Sequence, residues 1–94
     1  MTVTVKLTSS LAVMAEGRKQ ISINFDQWGL LGSLLGLLVA QYPRLKRDAG
    51  IEEGALPDHI NIYHNGDNVR YLQGLETPLG EGDVVQIIPA EAAG

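Results

Sequence analysis

Ile60-Asn-Ile-Tyr-His-Asn-Gly-Asp-Asn-Val-Arg-Tyr-Leu72 is the stretch on which the fold turns. Ile60 and Ile62 alternate with polar neighbours, as on a half-buried strand running to Tyr63. Asn65-Gly66 follows at once, and this dipeptide suits a two-residue hairpin turn because both positions need positive φ. Val69 to Leu72 then reads as the returning strand. Toward the C-terminus, Gly74, Pro78 and Gly80-Glu-Gly-Asp83 supply turn signals. A short apolar strand follows from Val84 to Ile88, with Val85 and Ile87 on its inward face. Pro89 stops it, and Ala90-Glu-Ala-Ala-Gly94 forms a tail of small residues.

Toward the N-terminus, Asp48 to Asp58 reads as a loop broken by Gly50, Gly54 and Pro57, with room for one helical turn. Before it, Trp28 to Tyr42 is the only segment long enough for a substantial helix. Asp26 is placed to cap its start, and Pro43 ends it by disfavouring helical geometry at Tyr42. Arg44, Lys46 and Arg47 then stand where positive charge favours the helix C-terminus. Leu31, Leu34, Leu35, Leu38 and Tyr42 form one stripe at helical spacing, the core face. Gly29, Gly32, Ser33, Gly36 and Ala40 fall on the opposite face, flanked by Leu30, Leu37 and Val39. No charged residue stands between Asp26 and Arg44. A smooth face of this kind lets another backbone approach closely, so homo-oligomerisation through Gly29, Gly32, Gly36 and Ala40 is one expectation. The other is that a strong core stripe tolerates the glycines.

At the start of the chain, Val3, Val5 and Leu7 alternate with Thr2, Thr4 and Lys6, and Ile21, Ile23 and Phe25 alternate within Gln20 to Phe25. These two strands form an N-terminal hairpin, and Leu11, Val13 and Met14 in the connection are expected to tuck under the core. The resulting order is strand, strand, helix, strand, strand, strand. One helix must cover one face of a mixed sheet to bury the apolar strand faces. The fold class is α+β, a single domain over residues 1–94.

The totals fit that reading and narrow the function. Ninety-four residues with 45% apolar content and no cysteine describe one small globular domain without disulfides or thiolate chemistry. The start of the chain lacks a signal peptide's pattern and no apolar run is long enough to span a bilayer, so a cytoplasmic protein that binds no membrane is expected. The net charge of -4 is uneven. Residues 1–47 carry six bases against Glu16 and Asp26, whereas residues 48–94 carry nine acids against Arg70 alone. An acidic half argues against nucleic acid and suits a basic protein surface.

Chemistry is sparse. His59 and His64 have no companion at metal-ligand spacing and read as surface histidines, and Ser9-Ser10 has no identifiable base. The helix glycines lack the lysine and spacing of a phosphate loop. Glu52, Glu53, Glu81 and Asp83 read as solvated loop acids. No nucleophile, base and orienter converge in sequence, so the chain is read as a non-enzyme with no bound cofactor and no metal. The small-residue tail remains as the feature with a chemical use.

The residues from Ile60 to Leu72, followed by Gly74-Leu-Glu-Thr-Pro-Leu-Gly-Glu-Gly-Asp-Val-Val-Gln-Ile-Ile-Pro-Ala90, resemble the MoaD/ThiS family of ubiquitin-like sulfur carriers. Within that family the chain is most similar to the CysO-type carriers of cysteine biosynthesis. The resemblance runs from the first strand to the end and includes Ala40-Gln-Tyr-Pro43. It implies the β-grasp fold. It also implies a C-terminal glycine that an ATP-dependent E1-like enzyme adenylates and converts to a thiocarboxylate. A sulfur-accepting synthase then takes the sulfur for cysteine, molybdenum cofactor or a similar product. Carried onto this chain, the reacting group is the carboxylate of Gly94. Glu91, Ala92 and Ala93 form the arm that threads into the partner, and Val84 and Ile88 are docking residues near its root. Family members end in Gly-Gly, whereas this chain ends in Ala93-Gly94, which puts a methyl where a channel is narrowest. The alternative expectation is a β-grasp interaction module that has left carrier chemistry and self-associates through its glycine-rich helix.

Overall fold

Two alternating apolar segments, brought side by side, begin the sheet. In the computed structural model, which describes residues 1–25 and 29–90, β1 (Thr2–Leu7) pairs antiparallel with β2 (Gln20–Asn24) in the register Val3 to Ile23 and Val5 to Ile21. All four side chains are buried, as the alternation predicts. The connection is more ordered than expected. It forms a short helix α1 (Ser9–Ala12) and a 3₁₀ turn (Val13–Ala15). Leu11 is buried and Met14 packs against the core, but Val13 is 63% exposed. Ala12 and Ala15, too small to attract notice in a hydrophobic pattern, take the buried positions instead.

The main helix α2 (Leu31–Gln41) presents Leu31, Leu34, Leu35 and Leu38 to the sheet, and Tyr42 caps it. The four leucines are fully buried and Tyr42 nearly so, as the stripe requires. Gly29 and Leu30 do not extend the helix; they form β3 (Gly29–Leu30), paired antiparallel with β6 (Pro78–Leu79). The expected Asp26 cap and the Trp28 start lie outside the described residues.

Pro43 ends α2 and also begins another helix. Tyr42 leaves the helical region (φ -129°, ψ 80°), whereas Pro43 has helical φ and ψ and leads into α3 (Arg44–Ala49). A proline fits this place because the first helical N–H groups have no intrahelical acceptor. The basic residues therefore belong to α3, and Asp48, expected in a loop, lies within it.

The glycine face of α2 is occupied by the chain itself. A Cβ on Gly32 would lie 3.1 Å from the Glu53 carbonyl oxygen and 3.4 Å from that of Leu75, and one on Gly36 would run into the Glu53 side chain. A Cβ on Gly29 would meet the Phe25 ring at 2.7 Å. The missing side chains let the 51–56 loop and the 3₁₀ turn Gly74–Glu76 lie directly on the helix. The expectation that Gly29, Gly32, Gly36 and Ala40 form one open face for self-association is thus corrected as to the face. Three of the four are used for intrachain packing, and only Ser33, Leu37 and Ala40 remain exposed on that side.

The second hairpin forms where Asn65-Gly66 places it. β4 (Ile60–His64) meets β5 (Asp67–Asn68), His64 opposite Asp67, with φ of 48° at Asn65 and 94° at Gly66. Val69 to Leu72 is not a strand, however. The Asn68 carboxamide oxygen accepts from Arg70 N at 2.9 Å and turns the chain into a 3₁₀ helix (Val69–Tyr71). The Arg70 guanidinium fixes this turn by donating to the carbonyls of Pro57 and Ile60. The final strand β7 (Val84–Pro89) enters the middle of the sheet, giving the order β2-β1-β7-β4-β5.

Candidate functional site

β7 is the element from which everything downstream departs. It pairs parallel with β1 (Thr4 to Val84, Lys6 to Gln86) and antiparallel with β4 (Ile60 to Pro89, Ile62 to Ile87). Residues on one strand alternate between faces. Val85 and Ile87 therefore sit fully buried under α2, whereas Val84 and Ile88 are half-buried on the open face. The register sets Val84 beside Thr4, and Ile88 beside Asn61. Gln86, between them, lies beside Lys6 and Tyr63. The structure thus brings Val84 and Ile88 together on one uncovered surface whose only charge among these neighbours is Lys6. Glu91, Ala92, Ala93 and Gly94 lie outside the described residues.

The start of β7 is fastened by a cluster that sequence reading missed. Asp83, expected to be a solvated loop acid, is mostly buried and accepts three hydrogen bonds. Its Oδ2 accepts from Gly80 N at 2.7 Å and lies 2.7 Å from His64 Nε2, and its Oδ1 accepts from Asn65 Nδ2 at 3.1 Å. Asn65 Oδ1 accepts in turn from Val84 N at 2.8 Å. Partial burial pushes the Asp83 carboxyl up, but the bonds from His64, Asn65 and Gly80 outweigh it and hold the group below its ordinary value. Glu81 is exposed, as expected, and accepts from Thr2 N at 3.1 Å. His64 and Asp83 make an acid–base pair, but their bonds go to the turn and strand backbone, so they position the hairpin against β7. The one signal available in sequence was Asn65-Gly66, which identifies the turn but not the acid that clamps it.

The end of β7 is built differently. Pro89 completes the ladder opposite Ile60, and Ala90 N donates to the His59 carbonyl at 2.8 Å. Beside Pro89 lies a cleft of about 390 Å³ with an apolar floor of Leu11, Met14, Ile60 and Pro89, and with Asp48 and His59 at its mouth. One ring nitrogen of His59 bonds the Ala49 carbonyl at 3.1 Å. Asp48 is bound by Arg44 Nε at 3.0 Å and Arg47 Nε at 3.3 Å. The hydrogen bond from Arg44, followed by that from Arg47, holds its carboxyl below the ordinary value. Among the described residues no group of three His, Cys, Asp or Glu side chains is arranged to hold a metal, and no helix is long and apolar enough to cross a membrane.

Similarity to known proteins extends over this whole arrangement. A model of the ThiS family matches residues 11–94. Sulfur carrier protein CysO of Mycobacterium tuberculosis is 35% identical over 102 aligned positions, spanning 100% of both chains. Small archaeal modifier protein 3 of Haloferax volcanii is 38% identical over 80 residues, 83% of this chain and 84% of that protein. Among solved structures, a chain of the Amycolatopsis orientalis BexX/CysO complex superposes with a TM-score of 0.80 at 26% identity, covering 94% of each chain. Crystalline SAMP1 from Haloferax volcanii superposes with a TM-score of 0.79 at 28% identity, covering 95% of this chain and 94% of that one. The fold is the β-grasp, as expected.

Proposed function

This chain belongs to the ThiS family, and from that premise we propose that it is a sulfur carrier whose reactive group is the carboxylate of Gly94. The observation that carries the reading is the placement of β7. It lies between β1 and β4 with its start clamped by Asp83, so the chain beyond Pro89 leaves from a fixed root. End-to-end similarity to a protein named as a sulfur carrier supports the same reading.

The chemistry divides between the chain and its partners. In an E1-like enzyme, a Gly94 carboxylate oxygen attacks the α-phosphorus of ATP and releases pyrophosphate. A sulfur donor then displaces AMP from the acyl-adenylate and leaves a thiocarboxylate, which a synthase uses to thiolate its acceptor. What this chain supplies is presentation. Small side chains at Ala92 and Ala93 keep the arm slim, Glu91 stands at its base, and Val84 and Ile88 give an apolar footing beside the root. On this reading ATP is a substrate of the partner, and the chain is a co-substrate and not a catalyst.

The test is intact-mass spectrometry after incubation with the cognate E1-like enzyme, ATP and sulfide. The expected product is heavier by the difference between sulfur and oxygen. An unchanged mass, with an enzyme that converts another carrier, overturns the proposal. The similarity to a protein named as a modifier favours a second use of the same activated Gly94, transfer to protein amines. It predicts covalent adducts of higher mass in the same reaction when lysine-bearing proteins are added.

A further inference from the structure

The two ends of the sheet differ in charge as well as in fastening. β1 and β7 end, and β2 and β4 begin, on the side where the chain leaves toward Gly94. That side carries Arg18 and Lys19 before β2, and Arg44, Lys46 and Arg47 on α3. Their acidic neighbours there are Glu16, Asp48 and Asp58. The opposite side, at the start of β7 and the tip of the β4–β5 hairpin, carries Asp67, Glu81 and Asp83 against the Met1 ammonium, with no lysine or arginine among the described residues. A chain that is acidic as a whole therefore turns a positive end toward whatever receives its tail.

That end is also shaped. The cleft beside Pro89 is apolar at its floor, and Asp48 at its mouth gathers two guanidinium groups through their Nε atoms alone. Arg44 Nη1 has only a 3.5 Å contact with the Val13 carbonyl. Arg47 is 70% exposed in its side chain. Two arginines on one carboxylate leave a net positive charge and terminal N–H pairs able to take a second carboxylate, and a guanidinium fork binds such a group well.

We infer that the E1-like activating enzyme presents an acidic segment to this end, its carboxylate received by Arg44 and Arg47 and its neighbouring apolar side chain seated in the cleft over Leu11, Met14 and Ile60. The inference rests on the carrier reading, since it takes the enzyme as the protein that must lie against the root of the tail. Adenylation is the first encounter of a free carrier, and complementary charge speeds and orients such an encounter. Contact at the cleft also lies beside Pro89, continuous with the tail that the enzyme must engage.

The decisive measurement is steady-state thiocarboxylate formation by the cognate enzyme with ATP and sulfide, at low and high salt. The double variant Arg44→Glu with Arg47→Glu is expected to raise KM by about tenfold or more at low salt, with the gap narrowing at high salt because exposed charges are screened. The rise is in KM, with kcat holding, because the reacting carboxylate is untouched. Ser10→Trp, which fills the cleft from its exposed rim, is expected to raise KM at both salt concentrations. Should the charge reversal disturb α3 in a melt, Arg44→Gln with Arg47→Gln carries the same expectation with a smaller rise. Wild-type conversion with unchanged KM in the variants overturns the docking inference and leaves the carrier reading standing. Failure of the wild type itself, with an enzyme active on another carrier, overturns both.

Discussion

The two ends of β7 solve opposite problems. At Val84 the strand is clamped by Asp83, His64, Asn65 and Gly80, a set of short-range polar bonds closed around a hairpin turn. At Pro89 the strand finishes with one backbone bond from Ala90 and an open apolar cleft rimmed by charges. Between them Val85 and Ile87 hold both ends to the same core. The difference teaches where rigidity is useful in a carrier. Holding the root of the tail still costs nothing in access, so the polar bonds concentrate at the far end and leave the departing end clear.

The largest effect is expected from removing what the two ends share. Ile87→Ala empties a fully buried position at the centre of the sheet and should cost about 2–5 kcal/mol in urea unfolding, a large share of the total for a domain this small. Asp83→Ala attacks the clamped end alone. It leaves Gly80 N, Asn65 and His64 without their acceptor, so a loss of about 1–3 kcal/mol is expected. The accompanying amide exchange should rise at Gly80 and Val84 more than at Ala90.

The pH dependence sharpens the same contrast. Asp83 has a folded pKa below its ordinary 3.8, so its contribution is present above that value and lost as the pH falls through the folded pKa. The stability gap between wild type and Asp83→Asn is therefore expected to be full at neutral pH and to close under acid below about pH 4. Arg44→Gln, at the other end, should be the smallest change. The pair with Asp48 is solvent-exposed, and such pairs contribute little. A thermal melt is expected to be unmoved beyond its error, while the salt dependence of enzyme capture changes.

Much of the fold was legible because it depends on period and local turn chemistry. The alternation in β1 and β2, the leucine stripe of α2, the Asn65-Gly66 turn and inward Val85 and Ile87 follow from rules that operate within a few residues. Val69 to Leu72 was not legible, since the Asn68 bond that starts its 3₁₀ turn is local but Arg70 fixes the turn by reaching carbonyls ten and more residues back. Nor was the purpose of Gly32 and Gly36. Small residues in an apolar helix announce a close approach, but not whether the visitor is a second chain or, as here, Glu53 and Leu75 of the same one. At the site, Val84 and Ile88 could be placed by alternation alone. Asp83 and the cleft could not, because each is assembled from segments that meet only after the sheet has closed.

The parallel pairing of β1 with β7 has a consequence for biosynthesis. Thr4 to Leu7 find their partners in Val84 to Ile87, so strands from opposite ends of the described chain meet at the middle of the sheet. Contacts of such long sequence separation are slow to form, because the intervening loop must close before they can be made. On a ribosome, β1 must wait, half-paired, until β7 has emerged. A nascent chain stopped short of Val84 lacks its central strand and has nothing to close around. Completion of the sheet thus acts as a checkpoint in synthesis: any molecule that has folded is one in which the segment rooting the tail has already been made.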